Sequence, residues 1–307
     1  MNKPTLFVMV GLPASGKSTY AKNLALKYNA KIFSSDKLRE ELLNDVNNQD
    51  HNADIFTELH RRIKNHLSSG GNAIMDATNI SSKKRRAFLS ELKNIPCTKE
   101  CHIIATPYEE CLRRNKSRDR VVPEDVIKRM YLNWNTPYWF EGWDDIIIYD
   151  DTEHVVMVSD WLEQHDNYNQ DNPHHTLTLG EHCRKTFEYI LHRNELGSSS
   201  SLLYAAAIHD CGKPFTKSFT NTKGEPTNIA HYYQHHCVGA YDSLFFKYCT
   251  YVSRLDISIL INLHMCPYDW ERGKADTKKL RTKYQALWGN KLYNDVMKLH
   301  EADKESH

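Results

Sequence analysis

Short apolar runs alternate with longer amphipathic stretches through the first half of the chain. Thr5–Val10, Lys31–Ser34, Asn72–Met75, Cys101–Thr106 and Ile146–Tyr149 are brief and mostly apolar, and each reads as a strand. Between them apolar positions recur at helical spacing, as over 18–28. This alternation predicts an α/β domain over residues 1–150, a parallel sheet with helices on both faces. Residues 151–173 lose the rhythm. They are polar, rich in Asn and Asp, close on Pro173, and read as a junction. From there the pattern turns helical over Leu177–Arg193, Ser201–Cys211, His235–Tyr251, Ile257–His264 and Leu292–Asp303, which predicts an all-α domain over 174–307. No internal repeat is present, and Ser198–Ser201 reads as a short loop.

Composition narrows the class. The chain has 307 residues, 40% hydrophobic and 26% charged, an ordinary globular mixture whose length favours two domains. A net charge of +1 excludes a global field that would draw the chain onto nucleic acid or membrane, so any nucleic-acid contact must come from a local patch. No apolar run reaches membrane-spanning length and no signal-peptide pattern opens the chain, so no membrane partner is expected. Eight cysteines lie scattered without a disulfide framework, and Cys97 and Cys101 need no metal to explain them. A reduced, cytoplasmic compartment is the expectation. The 17 histidines crowd into the second half.

The first predicted strand runs into Gly11-Leu-Pro-Ala-Ser15-Gly16-Lys17-Ser18-Thr19 and then a helix. This fits the phosphate-binding P-loop, G-x-x-x-x-G-K-[ST], between the strand and helix that the motif requires. A glycine-rich turn there aims backbone N–H groups and a helix N-terminus at an anion. Gly11, Ser15, Gly16, Lys17, Ser18 and Thr19 are the expected nucleotide contacts, with Lys17 on the β/γ-phosphates and the Ser18 hydroxyl on Mg²⁺. ATP with Mg²⁺ is the expected cofactor. Further signals fall at strand ends, where open α/β sheets bind ligands. Asp36 and Arg39 follow the second strand; Asp36 is placed to accept a proton from an acceptor hydroxyl, and Arg39 to hold an acceptor phosphate. Asp76 ends the third strand and suits a partner for Mg²⁺. Arg114 and Arg118 stand four apart on a predicted arginine-rich helix, which makes them either a lid over the donor phosphates or a solvated face. Lys83–Arg86 reads as a nucleic-acid contact or as a solvated helix start. The aromatic run Tyr131–Trp143 would stack bases or pack a domain interface.

GLPASGKST, SSDKLREEL, MDATN and CLRRNKSRDRVVPEDVI, in this order and spacing, resemble the phage-type 5′-hydroxyl polynucleotide kinases over roughly residues 5–150. The resemblance implies Asp36 as general base, Arg39 on the acceptor's 3′-phosphate side, and Arg118 or Arg120 on ATP. Ser35 stands where that family often has Arg before the base aspartate. A phage-encoded chain would work in its host's cytoplasm.

In the second half, Ser201–Lys213 is an apolar helix ending His209-Asp210-Cys-Gly-Lys213. Two ionisable groups on so apolar a helix cost free energy unless they are paired or bind metal. His182 precedes them; His231, His235, His264 and Asp303 follow. Imidazoles and carboxylates from separate helices make a bundle-core metal site. The order H…HD…H…D resembles the HD-superfamily phosphohydrolases over roughly 174–305. The resemblance implies one metal on His182, His209, Asp210 and Asp303, with His235 and His264 at positions that bind a second metal or the phosphate. Manganese, cobalt or nickel ions suit such ligands. His231 shares a helical face with His235 if that segment is helical, His174 and His175 read as a substrate-facing pair, and Lys213 as a phosphate neutraliser.

Together the halves imply an end-healing enzyme. One would phosphorylate a 5′-OH polynucleotide end, and the other would remove a 2′,3′-cyclic or 3′ phosphate, in RNA repair beside a separate RNA ligase. The alternative is a nucleoside or small-metabolite kinase joined to a nucleotide phosphohydrolase. A non-catalytic ATP-switched sensor is a third reading, and Asp36 with a full H…HD…D set argues against it.

Overall fold

The computed structural model describes residues 3–46, 50–173, 175–193, 199–273 and 276–306. His174 and Ser198 lie outside the described residues. The chain divides into two compact units, Met1–Met130 with Pro137–Thr152, and Tyr131–Thr136 with Glu153–His307.

The first unit carries β1 (Thr5–Val10), α1 (Lys17–Tyr28), β2 (Ala30–Ser34), α2 (Ser35–Leu43), α3 (Asn52–Ser68), β3 (Asn72–Asp76), α4 (Ser82–Glu91), β4 (Thr98–Ala105), α5 (Tyr108–Lys116), most of α6 (Glu124–Leu132) and β5 (Asp145–Asp150). Its strands form one sheet in the order β2-β3-β1-β4-β5, and every pairing is parallel. β1 lies at the centre and Leu6 through Val10 are all buried, as expected of a strand covered on both faces. On one face Ala21 and Leu24 of α1 pack on Phe7, Met9 and Ile74. The connection from β1 passes over β3 to reach β2, and β4 then joins the other side of β1. The order therefore reverses at β1, which marks its carboxyl end as the ligand crevice.

The second unit carries β6 (Val156–Met157), α7 (Val158–Gln164), α8 (Leu179–His192), α9 (Ser200–Ile208), α10 (Lys213–Thr216), β7 (Ser218–Thr220), β8 (Pro226–His231), α11 (His235–Asp242), β9 (Phe246–Lys247), α12 (Arg254–Leu263), α13 (Cys266–Arg272), α14 (Thr277–Trp288) and α15 (Asn290–Glu305). α8, α9, α12 and α15 pack together, and α11 lies on α12. The apolar sequence of α9 is what this position demands, since Leu202 and Ala205 through Ile208 are all buried. A capping box opens α8, with Thr178 and Glu181 each bonding the other's backbone N–H.

Several boundaries differ from the sequence reading. The unit is not purely helical: β6 pairs with β9, and β7 with β8 as a hairpin. The helix expected over 235–251 stops at Asp242 and gives way to a 3-10 turn and then β9. His231 ends a strand rather than sharing a helical face with His235, because Gln234 takes a left-handed conformation (φ 64°) and breaks the chain direction between them. The stretch expected to be a junction contributes β6 and α7, where Trp161 is buried.

Candidate functional site

The P-loop begins where β1 ends. A Cβ on Gly11 would lie 2.8 Å from both the Ile104 carbonyl oxygen and Ser15 Oγ, so only glycine fits. Gly16 opens α1 at φ 93°, and no side chain caps the helix, which leaves its first N–H groups directed at the crevice. Thr106 Oγ1 donates to the Ser15 carbonyl at 3.0 Å and holds the loop to the end of β4. The Lys17 ammonium curls back on the Leu12 carbonyl at 2.5 Å, and burial pushes its pKa down to about 8. The Ser18 hydroxyl donates to Asp76 Oδ2 at 2.8 Å, so the two side chains that could hold Mg²⁺ lie side by side. The MDATN segment has a structural part as well: Asn79, left-handed at φ 48°, donates its amide to the Met9 carbonyl at 2.8 Å and fastens the end of β3 to β1.

Asp36 sits in the first turn of α2. Arg39, one turn on, is buried and donates to Asp36 Oδ1 at 3.1 Å and to Asn52 Oδ1 at 2.6 Å. Arg39 Nε is buried with no hydrogen-bond partner among the described residues. Arg120 reaches the other Asp36 oxygen at 2.7 Å. Arg114 passes close to Gly16, whose added Cβ would lie 3.7 Å from its Nη1, and is held by Glu110 at 2.6 Å and by Asp151 at 3.4 Å. The helix that was to carry Arg114 and Arg118 on one face ends at Lys116. Asn115 turns the chain there, taking the Val122 N–H at 3.0 Å and giving its amide to the Val122 carbonyl at 2.7 Å. Arg118 and Arg120 therefore stand on the turn after α5, where Arg118 is near enough to Lys17 to oppose its charge. In the basic cluster, Arg85 is no surface contact: it forms a fully buried bidentate pair with Glu141. Of the aromatic run, Tyr131, Trp134, Tyr138 and Trp143 are buried and Trp139 is exposed.

The second unit gathers its histidines at helix ends. His182 lies in the first turn of α8, His209 and His264 close α9 and α12, His235 opens α11, and Asp303 is in the last turns of α15. All are buried, as is Asp210. Each imidazole has its Nδ1 against a backbone carbonyl: His182 on Ser306 at 3.2 Å, His209 on Ala206 at 3.0 Å, His235 on Tyr232 at 2.8 Å and His264 on Ile261 at 2.7 Å. A ring that donates from Nδ1 presents a lone pair at Nε2. Those Nε2 atoms converge in two pairs, His182 with His209 at 3.1 Å and His235 with His264 at 3.2 Å. Asp210 lies between the pairs: Oδ2 is 3.4 Å from His182 Nε2 and 3.3 Å from His209 Nε2, and Oδ1 is 3.2 Å from His235 Nε2. The side chains form two trios, His182–His209–Asp303 and Asp210–His235–His264, with ligand atoms in each within 4.8 Å of one another. Facing lone pairs repel unless a cation or proton lies between them, so the donor set fits divalent metals that accept imidazole and carboxylate. Burial, then the neighbouring imidazoles of His235 and His209, push His264 well below its ordinary pKa. Burial works against charge on Asp210, but Lys213 and the imidazoles outweigh it and hold the carboxyl well below the usual range. Lys213 Nζ lies 2.7 Å from Asp210 Oδ2 and 2.7 Å from Gln170 Oε1.

The profile of the family described as "AAA domain" matches residues 6–137, the span from β1 past α6. The L-seryl-tRNA(Sec) kinase of Methanococcus maripaludis is 30% identical over 174 residues, 53% of this chain and 67% of that protein. The chain belongs to the P-loop kinase family. The protein kti12 of Schizosaccharomyces pombe is 24% identical over 48% of this chain and 58% of its own length, so the P-loop kinase described here spans under two thirds of that relative. Among solved structures, a chain of the Pnkp1/Rnl/Hen1 RNA repair complex is similar over 43% of this chain and 44% of that one, at 18% identity and a TM-score of 0.36. As a P-loop kinase the chain is a phosphotransferase that uses ATP with Mg²⁺. Among the described residues no helix is long and apolar enough to cross a membrane.

Sequence reasoning passed over several groups that complete the kinase and its second unit. Asn52 and Asp151 hold Arg39 and Arg114, Gln170 holds Lys213, and Tyr268 donates to Asp303 Oδ2 at 3.1 Å. None stands in a motif. Each meets its partner only through the fold, and a polar residue alone in a helix or loop carries no local signal.

Proposed function

We propose that this P-loop kinase is a bifunctional enzyme that heals nucleic-acid ends, phosphorylating a 5′-OH and hydrolysing a 2′,3′-cyclic or 3′ phosphate, in RNA repair. The observation that carries the reading is Asp210. Each of its oxygens faces a separate pair of imidazole Nε2 atoms, in the same chain as a P-loop. The archaeal relative's name adds support for the acceptor, since that kinase acts on a group carried by a tRNA.

In the first unit Asp36 takes the proton of the 5′-hydroxyl as its oxygen attacks the γ-phosphorus of ATP and the bond to the β-phosphate oxygen breaks. Lys17, Arg114 and Arg118 neutralise the charge that spreads over the phosphoryl oxygens. Arg39 holds a phosphate of the acceptor with its buried guanidinium. Arg120 leaves Asp36 when it turns to the nucleotide, which frees the carboxylate as a base. In the second unit His182, His209, Asp210 and Asp303 would hold one divalent ion, and Asp210, His235 and His264 a second. Such ions acidify a coordinated water and polarise a phosphoryl oxygen. Lys213, beside Asp210 at 2.7 Å, would take the charge of the phosphate. Its work done, the chain leaves ends that a separate RNA ligase can join.

The test uses an RNA oligonucleotide with a 5′-OH and a 2′,3′-cyclic phosphate, γ-labelled ATP, Mg²⁺ and Mn²⁺, with both ends resolved on a gel. Label at the 5′ end and loss of the 3′-terminal phosphate are expected. Lys17→Ala and Asp36→Ala should each cut labelling by about 100-fold or more and spare the 3′ end, and Asp210→Ala should do the reverse. Phosphorylation of free nucleosides but not of the oligonucleotide would replace the polynucleotide with a small acceptor. A 3′ end untouched by wild-type protein would remove the hydrolase from the reading.

A further inference from the structure

Asp303 turns its Oδ1 to the histidines. Oδ1 lies 3.2 Å from His182 Nε2 and 3.6 Å from His209 Nε2. Oδ2 accepts the Tyr268 hydroxyl at 3.1 Å. The phenol is itself braced. His300, on the same face of α15 and close to one turn before Asp303, meets the Tyr268 ring edge-on at 4.3 Å and 82°. Glu271 Oε1, next along α13, lies 3.4 Å from His300 Nε2, and the Arg272 guanidinium sits 5.6 Å over the phenol ring. The histidines of both trios are oriented through Nδ1 by main-chain carbonyls, which no side-chain change can remove. Asp303 is oriented by a side chain.

A carboxylate free at both oxygens can chelate an ion with two short bonds or rotate between modes. Tying Oδ2 to a donor selects one oxygen and one direction. We propose that Tyr268 is a positioning residue for the His182–His209–Asp303 trio: its hydroxyl holds Asp303 to a single-oxygen approach and so sets the affinity of that trio, and not the other, for a divalent transition ion. This rests on the metal reading given above. It assigns Tyr268 no contact with the metal or with substrate.

Calorimetric titration of the metal-free 307-residue chain with Mn²⁺ tests it, with wild type, Tyr268→Phe, His264→Ala and the double variant. Phenylalanine keeps the ring that packs on His300 and loses only the hydroxyl, so metal-free Tyr268→Phe should stay folded and melt only a few degrees below wild type, from the lost hydrogen bond to Asp303. In the His264→Ala protein, where the second trio is broken, Tyr268→Phe should weaken the remaining site by about 10- to 100-fold. Titration with Co²⁺ should give a visible absorption band for the first trio that changes in Tyr268→Phe, a readout that a purely packing role would leave still. Equal Mn²⁺ affinity and an unchanged cobalt band in a folded Tyr268→Phe protein would overturn the proposal while leaving the metal reading intact. No Mn²⁺ uptake by wild type would overturn the metal reading, and this inference with it. If Tyr268→Phe fails to fold, His300→Ala, which loosens the phenol without deleting it, must weaken the first trio and spare the second; unchanged affinity there sinks the proposal.

Discussion

Asp242 is a half-buried residue of the second unit whose carboxyl packs inward against Tyr131. Burial pushes its pKa up to about 7, against the pull of its hydrogen bond from the Tyr131 hydroxyl. Because the folded value lies above the unfolded one, the native state holds a proton that the unfolded chain has released between about pH 4 and pH 7. Its contribution favours folding at the acid end, is lost as pH rises through that window, and is flat above it. Asp242→Asn keeps the shape and removes the ionisation. Its melting temperature relative to wild type should therefore climb between pH 4 and pH 7 and then level off, which thermal melts at half-unit steps would check; a difference independent of pH would mean that the Asp242 carboxyl does not titrate in this window. The same kind of residue marks where sequence reading stops. Lys17, Ser18, Asp76, Asp36 and Arg39 announce themselves because they stand in a P-loop and at two strand ends, and the fold brings Ser18 to Asp76 at 2.8 Å and Arg39 to Asp36 at 3.1 Å. Tyr131, Gln170 and Tyr268 find partners far away in sequence, and nothing local to them says which.

At the level of elements, Gly212 sets how closely two of them approach. A Cβ there would come within 2.1 Å of the His235 carbonyl oxygen and 2.6 Å of the Gly239 nitrogen, so the start of α10 lies directly on the backbone of α11. Gly212→Ala should push α11 away, carrying His235 from Asp210, and cost about 2 kcal/mol or more of stability. Denaturant melts would read the stability, and Mn²⁺ titration the displacement of His235. The inner strands β3, β1 and β4 were legible because a central parallel strand must be apolar over most of its length, and the edge strands β2 and β5 by short β-branched or aromatic runs, Ile32-Phe33 and Ile146–Ile148. β4 begins earlier than its apolar core, at Thr98, since pairing with Thr5 and Leu6 extends it through polar residues. Helix ends were harder. Periodicity carries on past Lys116 and past Asp242, and the chain turns there for reasons outside the pattern: the Asn115 side chain in one case, and pairing of Phe246 and Lys247 with β6 in the other. The hairpin of β7 and β8 is short and largely polar, and alternation over so few residues resembles a loop.

On the scale of the whole molecule, the boundary between units is not one point in the sequence. Tyr131–Thr136 belongs with the second unit although Pro137–Thr152 returns to the first. Trp134 is fully buried there, edge-on to Tyr241 at 4.8 Å. Thr136 gives its N–H to Asn262 at 3.1 Å and shares a hydroxyl contact with Ser258 at 2.7 Å. Composition pointed to a cut near residue 150, because the aromatic run reads the same whichever unit it fills. A fragment covering 153–307 should accordingly be less stable than one covering 131–307, by about 3 kcal/mol or more from the loss of Trp134 alone, as denaturant melts of the two would show. Equal stability would mean that the strap contributes nothing. The helical unit also has an order in time. The contact from His182 to the Ser306 carbonyl closes a loop of 124 positions, and Asp303 arrives on the same helix. Loops that long form slowly, and none can close before its far end has been synthesised. The trio around His182 can therefore be completed only after α15 has left the ribosome, whereas His209, His235 and His264 all lie on earlier elements.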